Sequence, residues 1–348
     1  MAAAPLLPHH PPFAGIGEEL VELGQMVRRR LLLGFGIGAG AIAAGGVATT
    51  LSFRAAMQRA ETTVSPALST VIPTRHGDLE YADVGSGTPF LMIHGTGGGF
   101  DQGLLFARPL LERGYRVIAP SRFGYLRSAF PSAPTSPNQA DALVDLLDHL
   151  GIDRIAVCGG SAGALSALEF AARHPERTAA LLPVVPATHV PGRSLAETQP
   201  PDIGPAMLLL RSDFLFWSAL NLVPDLMTGN LLATDPALLK TVTAEEASRA
   251  REILWSILPV SRRADGLVND AMLASNPAPS DLAAITAPTL AISAADDRFN
   301  TAAAARHIAA TVPGARSIIF PTGGHIWLGH DAELFGAIDS FLMEIGYR

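Results

Sequence analysis

The sequence is poor in residues that several classes of protein depend on. Its single cysteine, Cys158, cannot form an intrachain disulfide, and no cysteine and histidine residues have the spacing of a zinc site. Lys240 is the only lysine, and no basic stretch alternates with aromatic residues as in nucleic-acid-binding proteins. Charged residues make up 16% of the 348 residues and hydrophobic residues 48%, with a net charge of -7. We therefore expect a large apolar core, no metal site and no nucleic-acid partner.

The first sixty residues differ in composition from the rest of the chain. Four prolines within the first dozen residues predict a flexible tail over residues 1–30. Three arginines at positions 28–30 then precede an uncharged run, Leu31–Phe53. As a helix this run would measure about 35 Å, enough to cross a hydrocarbon core of ~30 Å. We predict a transmembrane or signal-anchor helix over residues 31–53, followed by a linker over residues 54–65.

Other interpretations of this run remain open. Small residues around Ala44–Ala48 are compatible with signal cleavage, and Arg29–Arg30 before the leucines resembles a twin-arginine export signal. A buried helix of the globular domain is also possible. The excess of arginine before the run favours a cytoplasmic N-terminus. The predicted location is therefore a membrane-anchored protein with its globular domain outside the cytoplasm, or an exported protein after signal cleavage.

From residue 66 onward, short runs rich in Val, Ile and Leu alternate with longer segments of helical periodicity. This alternation predicts an α/β fold with a mostly parallel, eight-stranded sheet that has helices on both faces. We expect the α/β core to comprise residues 66–185 and 282–348. Residues 186–281 contain no convincing strand and begin with several prolines. They are predicted to form a helical cap inserted after the sixth strand.

One short motif carries most of the chemical information. Gly159-Gly160-Ser161-Ala162-Gly163 matches the pattern G-x-S-x-G, directly after the predicted strand Ile155–Cys158 and at the start of the predicted helix Ala162–Arg173. A strand, tight turn and helix in this order form a nucleophile elbow, which exposes the serine hydroxyl. The alternative is an ordinary turn in which the serine caps the helix.

With these segments the chain resembles the α/β-hydrolase fold family over about residues 70–348. The resemblance rests on the elbow, on His94-Gly95 after an early strand, on Gly114–Pro120, and on the late Asp297 and His325. The order serine, aspartate, histidine is the family's own. It implies that Ser161 is the nucleophile.

The resemblance also implies roles for residues around Ser161. His325 would be the general base, with His330 as the second choice, and Asp297 rather than its neighbour Asp296 would orient the imidazole. The backbone N–H groups of Ala162 and Thr96 would form the oxyanion hole. The glycine-rich loop that contains Thr96 also leaves Gly97 open as the second donor.

The implied activity is that of a serine hydrolase. Apolar residues in the predicted cap favour a small-molecule ester of apolar character, and Phe214, Trp217 and Trp255 are the candidate pocket residues. The chemistry requires no metal or organic cofactor. Alternatives on the same fold are an amidase or aminopeptidase-like enzyme, a carbon–carbon bond hydrolase, and a non-catalytic binding protein.

Overall fold

The computed structural model describes residues 39–192 and 208–348. Its centre is one eight-stranded sheet with the strand order β1-β2-β4-β3-β5-β6-β7-β8. The first two strand pairs, β1 with β2 and β2 with β4, are antiparallel, and the others are parallel. This confirms the predicted mostly parallel sheet. The strands are β1 Thr70–Thr74, β2 Gly77–Val84, β3 Pro89–Ile93, β4 Arg116–Pro120, β5 Ile155–Gly160, β6 Thr178–Val184, β7 Leu290–Ala294 and β8 Arg316–Phe320.

Two hydrophobic clusters lie on opposite faces of the sheet. Alternate residues of β3 separate between them: Phe90 and Met92 pack into one cluster, Leu91 and Ile93 into the other. Successive side chains of a strand point to opposite faces, so a central strand covered on both sides must be apolar throughout. This explains the short continuous apolar runs in the sequence.

The helices of the described residues form the two layers around the sheet, the cap and an N-terminal element. Helices α2 and α10 contribute to the cluster that contains Phe90, whereas α3, α4 and α9 contribute to the cluster that contains Leu91. The helices are α1 Ala39–Thr63, α2 Phe100–Glu112, α3 Ser136–Leu150, α4 Gly163–Arg173, α5 Asp213–Leu222, α6 Pro224–Leu231, α7 Ala244–Trp255, α8 Ala264–Ser275, α9 Thr301–Thr311 and α10 Asp331–Glu344.

The segment between β6 and β7 has helices as its regular elements and no strand among its described residues. It contains α5 to α8 joined by short 3-10 turns, and its apolar side chains belong to the same cluster as Phe90 and Met92. Ser212 and Thr243 cap the first turns of α5 and α7 by accepting hydrogen bonds from backbone N–H groups. These helices lie over the sheet face on which the site is built.

At the N-terminus the structure describes the predicted linker and only part of the predicted spanning helix. Among residues 39–192 and 208–348, no helix is both long and apolar enough to cross a membrane. Residues 1–30 of the predicted tail, and residues 31–38 of the predicted spanning helix, lie outside the described part of the chain. From Ala39 onward the chain forms α1, which continues through most of the predicted linker, residues 54–65, to Thr63.

The reason for this difference lies in the sequence of α1 itself. Arg54 ends the uncharged run but not the helix, since the following Ala, Met, Gln, Arg and Glu residues all favour helix. Ala56 and Ala60, one turn apart, are buried against the domain. The second half of α1 is therefore part of the globular structure. The cellular location stays a prediction.

Candidate active site

The turn after β5 has the geometry of a nucleophile elbow. Ser161 has a positive φ of 51°, which is rare and strained for a residue with a side chain. Its conformation is held by three backbone hydrogen bonds, from its own N–H to the carbonyl of Val184 and from the N–H groups of Ala164 and Ala187 to its carbonyl. A Cβ atom at Gly163 would lie 2.5 Å from the carbonyl oxygens of Ile93 and His94, so the turn excludes side chains there.

Cys158, the chain's one thiol, lies three residues before Ser161 but belongs to the buried interior of β5. Burial raises the pKa of this thiol to about 12. It is therefore protonated at neutral pH and does not compete with the serine as a nucleophile.

The structure brings Ser161, His325 and Asp297 together in one line of hydrogen bonds. The hydroxyl Oγ of Ser161 lies 2.8 Å from Nε2 of His325, and Nδ1 of the same ring lies 2.8 Å from Oδ2 of Asp297. The carboxylate of Asp297 is buried, and the imidazole is nearly so. A serine, an imidazole and a buried carboxylate in this order can activate the hydroxyl by general base catalysis.

The two adjacent aspartates of the loop after β7 make different contacts. Asp297 accepts hydrogen bonds from the backbone N–H of Phe299, at 2.9 Å, and from the hydroxyl of Thr301, so its carboxylate is fixed beside the imidazole. Asp296 instead accepts the backbone N–H groups of Gly323, at 3.2 Å, and Gly324, at 2.8 Å. Asp296 therefore anchors the loop that carries His325.

The cap also holds the histidine loop. The backbone N–H of His325 donates to the hydroxyl of Thr234, at 3.0 Å, in the segment that follows α6. Arg249 of α7 donates to the carbonyl of Ile326, at 2.9 Å, and lies over the ring of Trp327. His330, the second choice for the base, instead stacks on Phe320.

The candidate oxyanion donors lie on two sides of Ser161. Ala162 is the N-cap residue of α4, and N–H groups in the first turn of a helix have no partner within that helix. Thr96 lines the same cavity as Ser161. The alternative donor, Gly97, already donates its N–H to the hydroxyl of Tyr125, at 3.2 Å. This arrangement favours Thr96 over Gly97.

A buried charged network lies behind the loop that carries Thr96. The guanidinium of Arg122 donates to both carboxylate oxygens of Asp270 on α8, at 2.7 and 2.5 Å. The hydroxyl of Tyr125 donates to the same carboxylate at 2.5 Å. Both side chains of the ion pair are almost completely buried. Burial opposes the charge of Arg122, but attraction and hydrogen bonding by Asp270 and Tyr125 together raise its pKa.

His94 links this network to the loop. Its Nε2 accepts the backbone N–H of Arg122 at 2.9 Å, and its Nδ1 lies 2.7 Å from the carbonyl of Gly95. Only the neutral tautomer with a proton on Nδ1 satisfies both contacts. Burial, together with the nearby charge of Arg122, lowers the pKa of His94 well below its usual 6.5. This histidine is therefore structural.

A cavity of about 180 Å³ lies between the core and the cap, with Ser161 and His325 in its wall. The cap contributes mainly apolar side chains to this wall. They include Leu210, Phe216, Leu231, Leu232, Ile253, Ile257 and Leu267. The described lining residues include no lysine or arginine, and the one carboxylate among them, Asp270, is already paired with Arg122.

None of the three aromatic residues predicted for the pocket lines this cavity. Phe214 and Trp217 instead contact Phe53 of α1, with ring centroids 5.3 and 5.6 Å apart. Trp255 is a partly buried member of the cap's own packing. Helix α5 is apolar on more than one face, so its sequence did not show that Phe216 would face the cavity while its neighbours face α1.

Comparison with known proteins agrees with this geometry. A family model for the alpha/beta hydrolase fold matches residues 88–329. The chain belongs to the alpha/beta hydrolase fold family. Its similarity to an uncharacterized hydrolase of Bacillus subtilis, YcgS, is 29% identity over 75% of this chain and 93% of that protein. Similarity to the 2-hydroxy-6-oxononadienedioate/2-hydroxy-6-oxononatrienedioate hydrolase 2 of Pseudomonas putida is 31% identity over 76% and 92%.

Among solved structures, an alpha/beta hydrolase fold protein from Nakamurella multipartita matches with a TM-score of 0.61 and 26% identity. The match covers 80% of this chain and 99% of that one. Since the relatives are named hydrolases and the fold is that of the family, this chain is a hydrolase.

Several residues that shape this hydrolase site had no recognisable signal in the sequence. Thr234 and Arg249 contact the histidine loop from the cap, and Asp270 pairs with Arg122 across 148 positions of the chain. Asp296 was considered beside Asp297 as the orienting acid, but the sequence did not indicate that it anchors the histidine loop. The other contacts join segments that only the folded cap brings together.

Proposed function

We propose that this hydrolase cleaves small, neutral carboxylic esters through an acyl-enzyme on Ser161. The observation that carries the proposal is the line of hydrogen bonds from Ser161 through His325 to Asp297 at the wall of an apolar cavity. A hydroxyl held this way attacks an ester carbonyl readily, because the imidazole accepts its proton as the bond forms.

The reaction proceeds in two halves. Oγ of Ser161 bonds to the carbonyl carbon while its proton passes to Nε2 of His325. The resulting oxyanion is stabilised by the N–H groups of Ala162 and Thr96. The bond to the leaving alcohol oxygen then breaks, and His325 gives that oxygen the proton. Water repeats the sequence on the acyl-enzyme, releases the acid and restores the serine.

The lining and the volume of the cavity favour a neutral and compact substrate. Its described lining lacks a cation that would pair with a carboxylate, and transfer of an unpaired charge into an apolar site is costly. Its volume of about 180 Å³ slightly exceeds the ~150 Å³ of an apolar cavity known to admit benzene. Short alkyl or single-ring groups therefore suit this site.

A carbon–carbon bond hydrolase is the second candidate, and similarity to a named relative favours it. One relative, at 26% identity over 74% of this chain, is a 2-hydroxy-6-oxo-6-phenylhexa-2,4-dienoate hydrolase from Burkholderia cepacia. The substrate in that name carries a carboxylate at neutral pH. The absence of a cation from the described lining favours the neutral ester over this acid.

The test uses the full chain and two matched serine variants. Ser161→Ala is expected to abolish labelling by a fluorophosphonate probe, whereas Ser166→Ala is expected to retain it. Ser166 is a buried serine on α4 that does not line the cavity. Failure of the wild-type protein to label, or equal labelling of Ser161→Ala, would contradict the nucleophile role.

Substrate class is tested by kinetics on the same wild-type protein. We expect kcat/KM for p-nitrophenyl butyrate to exceed that for 2-hydroxy-6-oxo-6-phenylhexa-2,4-dienoate by about 100-fold or more, because only the acid must bury a charge. A higher kcat/KM for the dienoate, with labelling of Ser161 intact, would replace the ester by the carbon–carbon substrate.

A further inference from the structure

One polar group in the cavity wall has no role in the reaction described above. Asn230 lies near the end of α6 and lines the cavity that contains Ser161. Its amide nitrogen Nδ2 is buried and has no hydrogen-bond partner among the described residues. Of the buried side-chain polar atoms in that condition, it is the one whose residue lines the cavity.

Three other polar side chains of the wall already have hydrogen-bond partners within the protein. Ser161 and His325 bond to each other, and the carboxylate of Asp270 accepts hydrogen bonds from Arg122 and Tyr125. A buried N–H donor without a partner destabilises the protein by itself. A ligand that supplies the missing acceptor removes this destabilisation in the complex.

The position of Asn230 is fixed relative to the reacting serine. The next turn of chain carries Thr234, whose hydroxyl donates to the carbonyl of Leu232 and accepts the backbone N–H of His325. The end of α6 is thus tied directly to the histidine loop. A substrate group that reaches Asn230 is therefore held in a defined register with the scissile carbonyl.

We propose that Asn230 is a specificity residue that donates a hydrogen bond to a neutral oxygen acceptor of the substrate, at a distance from the scissile ester. The substrate class is then an ester with a second, uncharged oxygen function, such as a ketone carbonyl, in its acyl or its alcohol part. Neutrality follows from the cavity wall, whose described residues offer no cation and one carboxylate. This inference rests on the ester hydrolysis proposed above.

The experiment compares substrates that differ only in that oxygen. In the acyl series, p-nitrophenyl 4-oxopentanoate is paired with p-nitrophenyl 4-methylpentanoate, in which a methyl-bearing carbon replaces the ketone. In the alcohol series, the acetate ester of 4-hydroxybutan-2-one is paired with 3-methylbutyl acetate. The measured quantity in each series is the ratio of kcat/KM for the ketone to kcat/KM for its alkyl partner.

Asn230→Leu is expected to lower this ratio about 3- to 10-fold in one of the two series, the size of one neutral hydrogen bond. Asn230→Asp, which keeps the shape but removes the N–H donor, is expected to lower it as well. The control is Leu226→Ile, which alters a partly buried residue of the same helix outside the cavity wall and is expected to leave the ratio unchanged.

The outcomes separate the two proposals. A ratio that Asn230→Leu leaves unchanged in both series, while the alkyl esters are hydrolysed, overturns the role of Asn230 and leaves the esterase proposal standing. Failure of the wild-type protein to hydrolyse any of the four esters contradicts the proposed function itself. Alkyl-ester hydrolysis by Asn230→Leu shows that the variant is folded.

Discussion

The neighbouring carboxylates of Asp296 and Asp297 make different contacts at the candidate site. Asp297 contacts the imidazole of His325, whereas Asp296 binds two backbone N–H groups of the loop before it. In the proposed reaction the first contact would stabilise the imidazolium and hold the ring tautomer. The second only fixes the position of the loop. Substitution of each aspartate is therefore expected to have a different effect on turnover.

We expect Asp297→Asn to lower kcat for p-nitrophenyl butyrate by about 10⁴-fold, the loss seen when the aspartate of a Ser-His-Asp triad becomes asparagine. Asp296→Asn is expected to lower kcat by less than about tenfold, because the amide oxygen still accepts one of the two backbone N–H groups and the residue does not contact the imidazole. Steady-state kinetics on both variants measure the difference. A larger loss for Asp296→Asn would exchange the assigned roles.

His94 makes stability depend on pH. Burial and the charge of Arg122 keep its pKa well below 6.5 in the folded protein. The unfolded chain binds a proton at this residue near pH 6.5, and the folded chain does not. Since the state that binds more protons gains as pH falls, this residue's contribution to stability is full above pH 6.5 and decreases below it.

The expected size of this effect is up to about 1.4 kcal/mol of unfolding free energy per pH unit. Urea denaturation at pH 7.5, 6.5 and 5.5 measures it, by comparing the wild-type protein with His94→Gln. The variant is expected to show a shallower loss of stability toward low pH. His149→Gln, at an exposed position of α3, serves as the control. Equal slopes for wild type and His94→Gln would refute the assignment.

At the scale of single elements, α1 is the helix whose packing differs most from what its sequence pattern predicted. Its second half packs on the domain through Ala56 and Ala60, and Phe53 meets the aromatic residues of α5. Glu61 also forms an ion pair with Arg262 of the cap. The helix thus covers cap side chains that do not line the cavity.

Phe53→Ala is expected to lower the free energy of unfolding by about 1–2 kcal/mol, since a partly buried aromatic side chain loses two ring contacts. The kcat for a small ester is expected to stay the same, because Phe53 does not line the cavity. Leu51→Ala on the same helix is the control, since Leu51 is 60% exposed. Equal destabilisation by both variants would show that α1 does not pack on the cap.

At the scale of the whole molecule, the cap is a part of the site's framework. It reaches the histidine loop through Thr234 and Arg249, and the Thr96 loop through Asp270. Arg263 of the cap also pairs with the buried Asp101 and donates to the carbonyl of Gly98. Both loops around Ser161 are therefore braced by residues inserted between β6 and β7.

Removal of one of these braces should affect stability and turnover together. Asp270→Asn leaves the guanidinium of Arg122 buried without its counter-charge, so we expect a loss of about 3–5 kcal/mol in unfolding free energy. We also expect a lower kcat, because Tyr125 and the Thr96 loop lose an anchor. Asp265→Asn on the same helix is the control, since its carboxylate is 60% exposed. A neutral effect of Asp270→Asn would contradict the framework role.

The local parts of this protein could be predicted from the order of its amino acids. The strand at Ile155–Gly160 was predicted at Ile155–Cys158, because a strand buried on both faces is an uninterrupted apolar run. The elbow was predictable for a similar reason. Its glycines and serine are adjacent in the chain, and the tight turn that needs them involves only neighbouring residues.

Contacts between residues far apart in the chain could not be predicted in this way. Phe216 rather than Phe214 or Trp217 lines the cavity, because the rotation of α5 depends on its contact with α1. Asn230 is a candidate contact for substrate only because the fold places α6 at the cavity that Ser161 also lines. The free energy that selects these pairs comes from packing between segments far apart in the chain, and no periodicity within one segment encodes it.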